Sequence, residues 1–186
     1  MPLNVLSVLV PLLVAALLWI AVAYNRLVRP RNQFRNAWAQ IEVQLKRRHD
    51  LVPNLVEVVK GYMSYEQETL DKVIRARGMA MSSQGTAAMA KAEGMLTEAL
   101  KSLFALVENY PDLKANQNVA ALQEELASTE NRIGFARQFY NDAVMSYTNA
   151  TQSFPSNLVA SLFGFAAAEF FVVPEEEKAV PKVSLR

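Results

Sequence analysis

The sequence predicts an all-α protein: an N-terminal transmembrane helix plus an elongated antiparallel three- to four-helix bundle with a kinked long first helix. Three observations predict it. No charged side chain lies between Met1 and Asn25. Apolar residues over 34–73 then recur at alternating spacings of four and three, and the same alternation returns over 119–147. The resulting organisation is an anchor over 1–25, a helical bundle over 26–171 and a charged, irregular tail over 172–186.

The first element is residues 5–23, VLSVLVPLLVAALLWIAVA, close to the ~20 residues that cross a hydrocarbon core as a helix. A helix satisfies its own backbone polar groups, so such a segment is stable in lipid. Trp19 and Tyr24 stand where interfacial aromatics are expected. A secretory signal would carry a basic residue before its apolar stretch. Ala21-Val22-Ala23 resembles a cleavage site, but no basic residue precedes it. Arg26, Arg29, Arg31 and Arg35 follow the span directly, which puts the N-terminus outside and the bundle in the cytoplasm. These membrane-flanking arginines are also placed to meet anionic headgroups, at roughly 1 kcal/mol each.

Beyond Pro30 the apolar pattern becomes one-sided. Phe34, Trp38, Ile41, Leu45, Arg48, Val52, Leu55, Val59, Tyr62, Glu66, Thr69 and Val73 form the first seam. A repeat of 3.5 residues held over this length predicts a helix packed along a supercoiled seam. Pro53 removes one backbone donor, so a bend near residues 49–53, or two abutting helices, is expected there. Asp50 is a candidate cap for a helix restarting at Pro53. Pro30 is a candidate hinge. Arg48 and Glu66 occupy seam positions where apolar residues belong. Arg48 either snorkels from a splayed bundle, or the two bond polar seam groups that specify register or a subunit contact.

A second helix is read from Ala92, Leu96, Ala99, Leu103 and Leu106, and a third from Val119, Leu122, Leu126, Thr129, Ile133, Ala136, Tyr140, Ala143 and Tyr147. Glu125, Glu130, Arg132 and Arg137 flank the last seam, where charges select partner and register. The polar run 82–86 and Tyr110-Pro111-Asp112 separate the elements, with Asn116 as an N-cap. Phe154-Pro155-Ser156-Asn157 ends the third helix, and Ser156 or Asn157 is expected to cap a short fourth. At 1.5 Å per residue the runs 34–80 and 116–152 measure about 70 and 55 Å.

Residues 143–168 carry no charge. The apolar part, including Leu158, Leu162 and Phe163, is too short to span a bilayer. Three readings stay open: it packs on the bundle, lies in the membrane interface, or forms a subunit contact.

Composition excludes much chemistry. The 186 residues are 52% hydrophobic and 20% charged, with net charge +1, no cysteine and one histidine, His49. Thiolate metal sites and cysteine nucleophiles are therefore ruled out. Near-neutral charge argues against a nucleic-acid partner. Lys46-Arg47-Arg48-His49-Asp50 is dense in charge, but neighbours on a helix point about 100° apart, so it makes no single patch. His49 beside Asp50 has the form of a base with its orienting carboxylate, yet spacing places no nucleophile or second ligand near it. No cofactor and no enzymatic activity is expected.

Several motifs resemble the LemA family: Tyr24-Asn25-Arg26-Leu27-Val28, Ala37-Trp38, the run 43–56 (VQLKRRHDLVPNLV), Tyr110-Pro111-Asp112-Leu113-Lys114-Ala115-Asn116, Thr129-Glu130-Asn131-Arg132-Ile133 and Phe154-Pro155-Ser156-Asn157-Leu158. The resemblance covers the chain from Tyr24 onwards and departs over 79–95. It implies a bacterial membrane protein with one N-terminal span and an all-helical cytoplasmic domain. One similar subgroup acts in magnetosome membrane formation, which implies membrane organisation. The resemblance carries over no catalytic residue.

The functional expectation is a membrane-anchored scaffold at the bacterial cytoplasmic (inner) membrane. It would self-associate as a homo-oligomer through its seams and its C-terminal apolar segment. Arg48, Glu66, Ile133, Tyr140, Leu158, Leu162 and Phe163 are the candidate seam or interface residues. The alternative is a monomeric adaptor for another membrane protein such as a membrane protease. The lipid bilayer is the one partner common to both.

Overall fold

The structure, a computed structural model, describes residues 5–63 and 66–172, with side chains from Val8 onwards. Six helices and no strands occur among the described residues: α1 (Val5–Lys60), α2 (Gln67–Ser82), α3 (Thr86–Val107), α4 (Pro111–Lys114), α5 (Gln117–Gln152) and α6 (Ser156–Leu162). The tail expected to be irregular lies, beyond Val172, outside the described residues. The chain divides into two compact units, residues 1–39 with 138–169 and residues 40–137 with 170–186.

The first unit contains the apolar start of α1, the one helix among the described residues long and apolar enough to cross a membrane. Leu12, Leu13 and Leu18 are 64%, 60% and 63% exposed. Leucines left this open in a soluble domain would forfeit the burial that stabilises folding. Lipid is the solvent such a surface fits, and the protein is a membrane-associated helical one. Where the apolar segment ends, Ala23 and Leu27 are buried against Val159 and Ala160 of α6. Aromatic pairs continue the packing: Phe34 with Tyr147 at 4.9 Å and Trp38 with Tyr140 at 5.3 Å between ring centres.

The short helix α6 ends in a Schellman arrangement. Gly164 adopts φ +65°, and the amides of Gly164 and Phe165 donate to the carbonyls of Ser161 and Ala160. That left-handed residue favours glycine. The chain after it lies along α5, where the Tyr147 and Tyr140 hydroxyls donate to the carbonyls of Ala166 (2.7 Å) and Glu169 (2.8 Å). Burial holds both phenols above their ordinary range, Tyr140 with a further push from Glu169. Ser156 does not cap α6 as expected. Its hydroxyl donates instead to the carbonyls of Ala150 and Ser153 at the end of α5.

The second unit is the helical bundle proper. Val52, Leu55 and Val59 of α1 share a core with Leu70, Val73 and Ala76 of α2, Leu96, Leu100 and Leu103 of α3, Leu113, Val119 and Leu126. Helix α1 runs unbroken through both Pro30 and Pro53, so the expected pair of abutting helices does not form. The long first run ends instead at Gly61, where the Tyr62 and Met63 amides both donate to the Val59 carbonyl. Glycine weakens a helix by ~1 kcal/mol, and reversal here buries Met63 and leaves Tyr62 half exposed. The seam read through Tyr62, Glu66 and Thr69 is therefore corrected: α2 buries Leu70, Val73, Ala76 and Ala80. Gly85, at φ +82°, opens α3 after the polar turn. Asn116 caps α5 as expected, its side-chain oxygen accepting from the Asn118 and Val119 amides.

Candidate functional site

The most ordered polar constellation lies inside the bundle unit. Glu93 of α3 is completely buried and Arg48 of α1 nearly so. Arg48 Nη1 lies 3.2 Å from Glu93 Oε2, and its Nη2 donates to the Thr97 hydroxyl at 2.8 Å. Nη1 also lies 3.0 Å from Glu130 Oε2 on α5, an ion pair without hydrogen-bond alignment. The other Glu93 oxygen is 2.7 Å from His49 Nε2. One guanidinium is thus shared between two carboxylates, and one carboxylate between a guanidinium and an imidazole. A buried charge is tolerable only when paired and hydrogen-bonded, and this cluster meets that condition from three helices.

A fourth helix joins through the backbone. Pro53 has no amide hydrogen, so the His49 carbonyl four residues earlier lacks its helical donor. Arg77 of α2 donates Nε–H to that carbonyl at 2.7 Å. The proline and its compensation explain how α1 passes residue 53 intact. On the outer face Arg47 pairs with Glu125, and Lys46 bonds Asp50 at 2.9 Å. The hydrogen bond from Lys46 holds the Asp50 carboxyl below its ordinary range. Asp50 is mid-helix and exposed, so it caps nothing. His49 takes its carboxylate partner from Glu93, not from Asp50.

Several sequence-predicted residues therefore have definite places. Arg48 does not snorkel; it bonds polar seam groups. Glu66 lies outside α1, at the N-cap position of α2, and accepts from the Tyr110 hydroxyl at 3.3 Å. Ile133 and Tyr140 are buried within the single chain. Leu158 and Leu162 are exposed, and Phe163 is half exposed with its ring against Tyr24. Arg26, Arg29 and Arg35 are exposed, whereas Arg31 is half buried, its guanidinium 4.8 Å from the centre of the Phe165 ring. Sequence reading missed Glu93, Thr97 and Arg77, and assigned Glu130 only to a flank. One signal was available: Glu93 interrupts the alanine-rich apolar start of α3.

The constellation can hold helices in register. Among the described residues no three metal-ligating side chains gather. A separate groove of about 1260 Å³ runs between α2 and α3, with Ala76, Met79, Met95 and Ala99 in its walls and Lys72, Arg75, Lys91 and Lys101 among its charges.

The chain is similar to the Protein LemA of Metamycoplasma hominis, at 25% identity over 83% of this chain and 71% of that protein. It is also similar to Magnetosome protein MamQ 2 of Paramagnetospirillum magneticum, at 27% identity over 92% of the chain and 71% of the relative. Magnetosome protein MamQ of Magnetospirillum gryphiswaldense matches at 23% identity over 89% and 71%. The sequence profile of the LemA family matches residues 37–185, which takes in the whole Arg48–Glu93 constellation, and the chain belongs to that family.

Proposed function

We propose that this protein is a single-pass scaffold of the bacterial cytoplasmic membrane, with its N-terminus outside and its bundle in the cytoplasm. The observation that carries this is α1 itself, an exposed apolar segment that continues without a break into the basic turns holding Arg26, Arg29, Arg31 and Arg35. The cluster of basic residues directly after the span favours the stated orientation. The similarity to magnetosome proteins supports organisation of a membrane as the role.

The scaffold self-associates through surfaces other than the seams. Leu45, Val52, Leu126 and Ile133 are already buried within one chain, so they are not open to a partner. The role is non-enzymatic. Mass photometry of the full chain in lipid nanodiscs and cross-linking in membranes test self-association. Dimers or larger species growing with concentration are expected; a monomer throughout sinks it. Protease protection of an N-terminal tag in spheroplasts tests the orientation, and a tag cleaved only after lysis overturns it.

A monomeric adaptor is the second reading, favoured by the α2–α3 groove. Helices place apolar faces into such grooves, and small residues such as Ala76 and Ala99 let a backbone approach closely. One stoichiometric membrane-protein partner in a pull-down, lost on Met95→Glu, is the result that would prefer it.

A further inference from the structure

We propose that the exposed side of α6 docks into the bilayer surface at the foot of the α1 span, its occupant being lipid. Val159 and Ala160 are buried on Ala23 and Leu27, which ties α6 to the turn where the apolar segment ends. Tyr24 reinforces the tie, with its ring edge-on to Phe163 at 5.1 Å and Phe165 at 5.5 Å. Ahead of α6, Phe154 and Pro155 line one depression together with Trp19, Val22 and Arg26. The entrance to α6 therefore lies beside the last turn of the span. Whatever surrounds Trp19 and Val22 also meets Phe154.

The side of α6 turned away from α1 presents Leu158 and Leu162 with the small polar Ser161 beside them, and Phe154 stands just ahead of it. Phe154 is 80% exposed, Leu158 60% and Leu162 73%. Leu158 and Leu162, four residues apart, share a helix face. No charge lies anywhere in residues 143–168, so nothing opposes entry into the headgroup–acyl boundary. Arg26, in the same depression, supplies a cation at headgroup level. Interfacial helices sink about 5–10 Å into that layer, a depth within reach of these side chains. A second copy of the chain fits less well. Three large apolar side chains are few beside the roughly 20–30 residues a side and ~800 Å² per partner of a stable interface.

The inference rests on the anchoring of residues 5–23, and the test separates the two. The chain has no cysteine, so single-cysteine variants label at one place. The full chain is reconstituted in phosphatidylcholine–phosphatidylglycerol vesicles with an environment-sensitive fluorophore at Leu13→Cys, Leu158→Cys, Leu162→Cys or Glu57→Cys. Quenching by spin-labelled lipid, with the nitroxide near the headgroup for positions 57, 158 and 162 and deep in the acyl chain for position 13, is compared with quenching by aqueous iodide. At 158 and 162, lipid quenching about threefold that at 57, with protection from iodide, is expected for interfacial burial. Iodide access at 158 and 162 equal to that at 57, with Leu13 still lipid-quenched, overturns the docking and leaves the anchor standing. Protection from iodide without lipid quenching means that protein covers α6, and also overturns it. Absence of lipid quenching at Leu13 overturns the anchoring and this inference with it.

Discussion

Arg77 donates its Nε–H to the His49 carbonyl at 2.7 Å, the carbonyl that Pro53 leaves without a helical donor. A side chain of α2 thus repairs a gap made by the sequence of α1. The same turn of α1 carries Arg48 and His49, both bonded to Glu93. The backbone repair and the buried charge cluster are consequently neighbours on one helix, and both resist sliding of α1 against α2 and α3.

Removing the donor should cost little where the gap is closed by other means. Arg77→Met is expected to lower stability by about 1–3 kcal/mol, the cost of a part-buried acceptor left unpaired. In a Pro53→Ala background, where residue 53 regains its amide, the same substitution should cost less than half as much. Denaturation of the full chain in detergent, read as a double-mutant cycle, measures both. Equal costs in the two backgrounds would show that Arg77 acts elsewhere.

Arg48→Met should be far more damaging, because Glu93 would remain buried without its guanidinium. A loss of about 3–5 kcal/mol is expected from breaking a buried pair. Arg48→Met with Glu93→Leu should recover more than half of that loss, since the uncompensated charge is gone. A double variant no more stable than the single one would contradict the pairing.

His49→Leu should destabilise by about 1–3 kcal/mol, leaving one Glu93 oxygen without a partner. His49→Gln, which keeps a donor on a side chain of similar reach, should restore most of this. Thermal melts of the two variants provide the comparison.

The tyrosines make an alkaline prediction. Tyr140 and Tyr147 have folded pKa values raised above the ordinary 10.0 by burial. A raised folded pKa means that the native state holds the proton more tightly than the unfolded chain. Their contribution is complete below the ordinary value and is lost as pH rises through the folded values. Ultraviolet titration should show Tyr140 and Tyr147 ionising after exposed tyrosine, and Tyr147→Phe should lower stability by about 1 kcal/mol at neutral pH.

Gly164→Ala should strain the left-handed end of α6 by roughly 1–2 kcal/mol, with Gly164→Asn costing less. Proteolysis within residues 163–169 should quicken in the same order. No such order is expected at Gly78, whose φ is not positive.

Much of the fold was legible because it depends on local periodicity. The α5 seam from Val119 to Tyr147, the polar turn before α3 and the Asn116 cap each follow from a few neighbouring side chains. The α1–α2 break was not legible, because the seven-residue alternation runs on through Tyr62 and Glu66 while the chain turns at Gly61. The candidate site was half legible. Arg48 and His49 stood out as misplaced charge on a seam, but their partner Glu93 lies 45 residues beyond Arg48.

By itself the sequence determined the apolar N-terminal segment, the arginines behind it, the helical periods and the absence of cysteine, all properties of residues close together in the chain. Tertiary structure alone decided which charges meet. Pairing Arg48 with Glu93, and Arg77 with the carbonyl orphaned by Pro53, needs helices distant in sequence to arrive at one level. The cost of burying an unpaired polar group then selects that level over its neighbours.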